Sequence, residues 1–269
     1  MSTPEPNPPT RIRREPPSFR LATVRQVAAV TPRLVRVTLA GADLAGFAVD
    51  LPAASVRLLL PPPGQSDLVI PTWNGNEFLL PDGQRPTIRT LTPWRSDAEA
   101  LELDVGVVRH GGGAASDWAA AARPGDAVAV SGPGRGYAVD RDAPAFLLAG
   151  DETAIPAIAQ LMSVLPAEVP IQVSIEVAGS DARLAFPGHA AATVEWCDLA
   201  AGAAPGDALV SAVQGTAIVP GTKVWVAGEA AAVQRIRRHL FEERGLPRAQ
   251  VTARGYWKAG RSGDPADDS

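Results

Sequence analysis

The sequence predicts two joined fold classes: an all-β barrel or sandwich first, then a parallel α/β sheet covered by helices. Three observations carry this. Up to about residue 140, short β-rich runs follow one another with turns between them, which is the signature of a barrel or sandwich. After Pro144, apolar strand runs alternate with helical stretches, as a parallel sheet requires. Two of those later strands end in a glycine that leads straight into a helix, at Gly150 and Gly228. Junctions of this kind lie at the carboxyl edge of a sheet, where such folds bind ligands.

The elements follow in order. Leu34, Val35, Val37 and Leu39 flank Arg36 and Thr38 in the near-alternation of a half-buried strand. Residues 56–60, 101–108 and 127–130 read the same way, the last entered through the turn Pro124-Gly125-Asp126. One short helix is expected over residues 116–122, capped by Ser116 or Asp117. In the second half, strands are expected at 145–149, 171–177, 194–196, 223–227 and 251–257. Helices are expected after Thr153 to about 165, over 207–213 and over 229–244, the last stopped by Gly245. The boundary falls near 141–144, which gives domains 19–141 and 142–258. Residues 1–18 hold six prolines and three arginines, and 259–269 end in Asp-Asp-Ser; both read as disordered arms.

Composition narrows the function. A chain of 269 residues, 46% of them hydrophobic, has core enough for two compact domains without staples. One thiol, Cys197, excludes a disulfide framework and a Cys-ligated iron–sulfur cluster. A net charge of −4 argues against a general nucleic-acid binder. There is no apolar run long enough to span a membrane and no secretion signal, so a cytoplasmic monomer is expected. The three histidines show no metal-ligand spacing, and His239, within a basic helix, is expected to face solvent.

Five short motifs could carry chemistry. Arg89-Thr90-Leu91-Thr92 places a guanidinium beside hydroxyls, able to hold a diphosphate bidentately or to serve as an ordinary strand surface. His110 and the glycines up to Gly113 lead into a helix start at Ala114, Ala115 and Ser116, which reads either as an anion-binding turn or as a flexible loop. Gly150, Asp151, Glu152, Thr153 and Ala154 form the first strand–glycine–helix junction, without the G-x-G-x-x-G fingerprint; the two acids could be helix caps. Ala227, Gly228 and Glu229 form the second such junction. Gly255-Tyr256-Trp257-Lys258 could lay an aromatic over a planar cofactor or simply close the core.

In this order, with Gly132-Pro133-Gly134-Arg135-Gly136 between them, these motifs resemble the siderophore-interacting proteins, FAD-containing ferric-siderophore reductases related to ferredoxin reductases. The resemblance runs from about Phe19 to Trp257. It implies a six-stranded antiparallel FAD-binding barrel followed by a domain for NADH or NADPH. It also implies that Arg89, Thr90, Leu91, Thr92, Val108, His110, Gly113, Ala114, Ala115, Ser116 and Trp257 surround FAD. Gly150 to Ala154 and Ala227 to Glu229 would then frame the nicotinamide nucleotide. Arg57, Arg135 and Lys258 would attract the anionic ferric siderophore, and no residue would hold iron directly. Three positions depart from the family pattern: Leu91 stands where Tyr is usual, Gly134 displaces Arg135 by one residue, and Ala54-Ser55 replaces a stretch that commonly carries His. Two other readings stay open: another flavin reductase or electron-transfer flavoprotein of the superfamily, fed by or feeding a protein such as ferredoxin, and a non-catalytic siderophore binder.

Overall fold

The computed structural model describes residues 16–260, other than 63, 64, 66, 111 and 187. Its first sheet contains β1 (Arg20–Ala29), β2 (Leu34–Ala40), β3 (Val56–Leu60), β6 (Thr87–Leu91), β7 (Pro93–Asp97), β8 (Glu102–Val108) and β9 (Ala127–Ser131). The small hairpin β4 (Thr72–Trp73) and β5 (Phe78–Leu79) stands apart from it. Every pairing in the large sheet is antiparallel, in the order β6-β3-β9-β1-β2-β8-β7. The two ends of that order, β6 and β7, are separated in the chain by Thr92 alone. They are two halves of one bent strand, so the seven paired segments close as a six-stranded half-barrel. Val24, Val37, Leu39, Leu58, Leu103, Val105, Val128 and Val130 fill it.

Helix α1 spans Ala114–Ala121, starting two residues before the expected position. Gly113, at φ 91°, lets the chain turn into the helix early, and no side chain caps it. The expectation that Ser116 or Asp117 caps this helix is therefore corrected. Ser116 is buried in the first turn, and its hydroxyl accepts the His110 amide at 3.3 Å.

The second sheet is fully parallel: β12 (Ala192–Asp198), β11 (Ile171–Val177), β10 (Phe146–Asp151), β13 (Lys223–Glu229) and β14 (Val251–Trp257). Strand β10 is buried at every position, as a central strand covered on both faces must be. Helix α2 (Ile155–Val164) covers one face, and α3 (Asp207–Gly215) and α4 (Ala230–Arg238) cover the other. Beyond α4 the chain continues as a π-helical turn, His239–Glu243. His239 is buried, at 7% exposure, contrary to the solvent-facing position expected for it. It lies three residues after Ile236 and seven after Ala232, so helical periodicity turns it to the same inward face. Its Nδ1 pairs with Glu243 Oε2 at 2.7 Å.

The halves are locked together by specific contacts. Leu34, Ala53 and Tyr137 of the first half belong to the core cluster under α2. Gln160 on α2 donates to Pro93 O at 2.7 Å and accepts from the Ala53 amide at 2.8 Å. Arg33 Nε reaches Glu152 Oε2 at 3.0 Å. Among the described residues, no helix is long and apolar enough to cross a membrane. The expected arms lie outside the described residues over 1–15 and 261–269. Pro16, Pro17 and Ser18, expected in the first arm, lie against the barrel instead, where Ser131 Oγ donates to Pro17 O.

Candidate functional site

The barrel contributes two motifs at its mouth. Arg89, on β6, is half-buried, and among the described residues its one side-chain bond is to the Ile88 carbonyl at 2.7 Å. Burial pulls its pKa below the usual guanidinium value, and no carboxylate among the described residues offsets this. Such a cation has donors to spare for an anionic ligand. Thr90 faces Arg57 across the β3–β6 ladder, and Leu91 faces Val56 and packs against the barrel core. Aliphatic packing therefore occupies the Leu91 position. Thr92 is buried, its hydroxyl 3.3 Å from the Tyr256 hydroxyl. The second motif follows β8: Val108 is half-buried, His110 is exposed, and Gly113 opens α1 with its first-turn amides free of any side-chain cap. A helix N-terminus left open in this way favours a phosphate.

The end of β14 ties these motifs together. Tyr256 meets Thr92, while the Trp257 ring lies nearly parallel to His110, 16° apart with centroids at 6.2 Å. Tyr256 is held edge-on by Trp225 as well, and burial pushes its hydroxyl pKa up. Thr92 of the first motif and His110 of the second thus both meet the end of β14.

The two glycine junctions also meet, but differently from expectation. A Cβ on Gly150 would lie 2.4 Å from Ala154 Cβ and 2.9 Å from Ala227 O, so only glycine fits between the strand ends. Asp151 is buried, and its carboxylate takes four donors. Oδ1 accepts Thr153 N at 2.9 Å and Thr153 Oγ1 at 2.5 Å; Oδ2 accepts Glu229 N at 2.9 Å and Trp257 Nε1 at 2.7 Å. Burial raises the Asp151 pKa, and these donors oppose the rise. Glu152 spends one oxygen on Arg33 and the other on the Ala178 amide at 2.8 Å. Glu229 caps α4 through Ala232 N at 2.8 Å and accepts Ala259 N at 3.2 Å. Of the eight residues expected to frame the nucleotide, all but Thr153 are buried. Their side chains shape the edge: Asp151 caps the 3-10 turn Glu152–Ala154 that leads into α2, which has no side-chain cap of its own, and Glu229 caps α4.

The basic trio divides. Arg57 and Arg135 line one cleft of about 910 Å³ with Thr90, Ser55, Ser131 and the Gly132–Gly134 turn; Lys258 is not part of its wall. The turn explains Arg135. Gly134 packs against Ser55, where a Cβ would come within 2.5 Å of the hydroxyl, and Gly136 packs equally tightly on Leu51. Arg135, between them, is the side chain left exposed. Arg254, not foreseen from the sequence, fixes this turn by donating to Ala53 O, Arg135 O and Gly136 O at 2.9–3.1 Å. Nothing in the spacing of a strand arginine signals such a strap. Lys258 is exposed directly after Trp257.

The fold and the meeting motifs define a class: an antiparallel barrel joined to a parallel α/β sheet, the architecture shared with ferredoxin reductases, with a basic residue and an open helix start at the barrel mouth. Arg89, half-buried with no carboxylate partner among the described residues, and the uncapped start of α1 fit a diphosphate, the most anionic part of FAD. Comparison with known proteins narrows the class. Residues 23–137 match the siderophore-interacting FAD-binding domain and residues 143–260 the siderophore-interacting protein model. The chain belongs to the siderophore-interacting protein family. It is 31% identical to the NADPH-dependent ferric-chelate reductase of Escherichia coli, over 93% of this chain and 97% of that one. It is 28% identical to the ferric vibriobactin reductase ViuB of Vibrio cholerae, over 87% of each. A siderophore utilization protein from T. fusca superposes with a TM-score of 0.81 at 36% identity, covering 93% of this chain and 97% of that one.

Proposed function

We propose that this protein is a cytoplasmic ferric-siderophore reductase that draws electrons from NADH or NADPH through bound FAD. The observation that carries the reading is the pairing of Arg57 with Thr90 across β3 and β6. It sets a cationic cleft, shared with Arg135, one strand away from the motif that fits the FAD diphosphate. The names borne by the E. coli and V. cholerae relatives point to the same chemistry.

Arg89 and the amides at the start of α1 would hold the diphosphate, with Thr92 and His110 beside it. FAD, when bound, would accept one hydride, two electrons at once, and pass the electrons on singly, as Fe(III) requires. Trp257 and His110, with rings nearly parallel, would flank the mouth of the site. Arg57 and Arg135, with no carboxylate partner among the described residues, attract an anionic ferric chelate into the cleft. Siderophore oxygens are hard ligands that hold Fe(II) less tightly than Fe(III), so reduction itself promotes release. The nucleotide would approach the edge formed by β10 and β13, where Thr153 is the accessible side chain. Residues 19–141 would thus form the flavin domain and 142–258 the nucleotide domain.

The test is anaerobic oxidation of NADH and of NADPH in the presence of ferric siderophores, with Fe(II) captured by a chromogenic chelator. The reading requires Fe(II) in step with nucleotide oxidation. Oxidation that runs equally well with free flavin and leaves the chelate ferric would replace it with a flavin-reductase reading.

A further inference from the structure

The carboxylates of the two glycine junctions both reach the end of β14. Asp151 Oδ2 accepts the Trp257 indole N–H at 2.7 Å, and Glu229 Oε1 accepts the Ala259 amide at 3.2 Å. Lys258 lies between these two anchors. On the other side, the Tyr256 hydroxyl meets Thr92 of the barrel. The segment carrying Trp257 and Lys258 is therefore pinned to β10, to α4's first turn and to the flavin domain within four residues.

We propose that Asp151 is a positioning residue, a latch that holds the Trp257 indole parallel to His110 at the mouth of the site, with Glu229 as its companion beyond Lys258. Three features support a latch over a nucleotide ligand. First, a buried carboxylate must have its lone pairs satisfied, and Asp151 achieves this entirely with groups of this chain. Oδ1 is taken up by Thr153, and Oδ2 is shared by Glu229 N and the indole. Second, a phosphate brought close to two buried carboxylates would be repelled, and two of the amides at this edge, Thr153 N and Ala232 N, already carry Asp151 and Glu229. Third, Gly228 is shaped to the latch. It sits at φ 151°, and a Cβ there would stand 2.6 Å from Asp151 Oδ2. The glycine clears space for the carboxylate that holds Trp257. The role of the latch in turnover rests on the reductase reading above; the latch itself rests on these contacts.

The test uses the full chain with 15N-labelled tryptophan, whose six indoles give separate signals; Trp257→Phe identifies the one that matters. In the wild type, without any turnover, the Trp257 indole N–H should exchange with deuterium about tenfold or more slowly than a free indole, the low end for a hydrogen bond to a charged acceptor. Exchange at the free rate would overturn the proposal, and this measurement needs no variant of Asp151. In Asp151→Asn, an isostere that puts an N–H₂ where an acceptor was needed, the Trp257 signal should move and lose its protection while the other five hold theirs. A folded Asp151→Asn chain with an unchanged Trp257 signal would also overturn it. Kinetics separates the roles: Asp151→Asn and Trp257→Phe should each lower kcat by similar factors, and the double variant no further. An additive rise in the nucleotide KM would make Asp151 a nucleotide ligand instead. A protected indole in a protein inert toward ferric chelates would leave the latch standing and sink the reductase reading.

Discussion

Replacing Glu152 with alanine should destabilise the protein without weakening the nucleotide, because its carboxylate works inside the chain. The Glu152 side chain is 7% exposed and bridges Arg33 at 3.0 Å to the Ala178 amide at 2.8 Å. The amide bond, to an ionised acceptor, contributes about 1.5 kcal/mol. The Arg33 partner is 37% exposed, so solvent screening holds that pair to about 0.5–1 kcal/mol. Loss of one buried methylene adds about 0.8 kcal/mol, and relief of the carboxylate's desolvation takes part of this back. The net expectation is about 2–3 kcal/mol, or a Tm lower by about 5–10 °C for a chain of this size. Scanning calorimetry at a fixed scan rate, on flavin-loaded Glu152→Ala and Arg33→Ala, measures it. Arg33→Ala should show the smaller loss. A Tm unchanged within about 1 °C, together with a raised KM for NADH or NADPH, would refute the reasoning and return Glu152 to the nucleotide.

The remaining predictions concern the barrel, the cleft and two buried acids. Arg89→Ala should purify with little flavin and weakened FAD affinity, measured by absorbance and flavin fluorescence, because no other cation sits on that strand. Arg57→Glu and Arg135→Glu should each lower kcat/KM for an anionic ferric siderophore by about tenfold at low ionic strength, with the gap closing at high salt, since steering of this kind is worth about 10–1000-fold. Burial, with Glu195, Glu176 and Asp198 nearby, pushes the Cys197 thiol up to about 11. Alkylation of native protein should therefore be slow at neutral pH and accelerate only in strong alkali. Burial likewise raises Asp151 above 3.8 and Glu176 above 4.5. Just above those values the folded chain holds more protons than the unfolded one, so the contribution of these groups to stability falls as pH rises through that window. Denaturant titrations across the window should show a flatter profile for Glu176→Gln.

Most strands and both glycine junctions were legible in the sequence because alternation and tight turns leave local signatures, whereas β1 and β7, with mixed polar residues, were not foreseen. The runs 56–60, 171–177 and 251–257 appear with those bounds. Partners were less legible. Gly228 reads as a glycine needed for close approach, but what approaches is Asp151 Oδ2, which arrives from a strand 77 residues earlier by way of a parallel crossover. Glu152 and Glu229 look like acids at a ligand edge, and only tertiary structure shows them spent on Arg33, Ala178, Ala232 and Ala259. The split of the basic trio has the same origin: Arg57 and Arg135 meet because β3 pairs with β6 and β9, while Lys258 follows the other sheet. His239 is a different case. Its spacing from Ala232 and Ile236 already marked the inward face, and its basic neighbours obscured that signal. The two-residue strands β4 and β5 are too short to show any period.

The most direct measurement of the central claim takes the nucleotide out of the experiment. The flavin-loaded protein is titrated anaerobically with dithionite to full reduction without excess, then mixed rapidly with a ferric siderophore while flavin absorbance and captured Fe(II) are followed together. The account predicts flavin reoxidation at a rate that depends on chelate concentration, with two Fe(II) appearing for each fully reduced flavin and slower reaction in Arg57→Glu. Reduced flavin that persists beside an intact ferric chelate would contradict it.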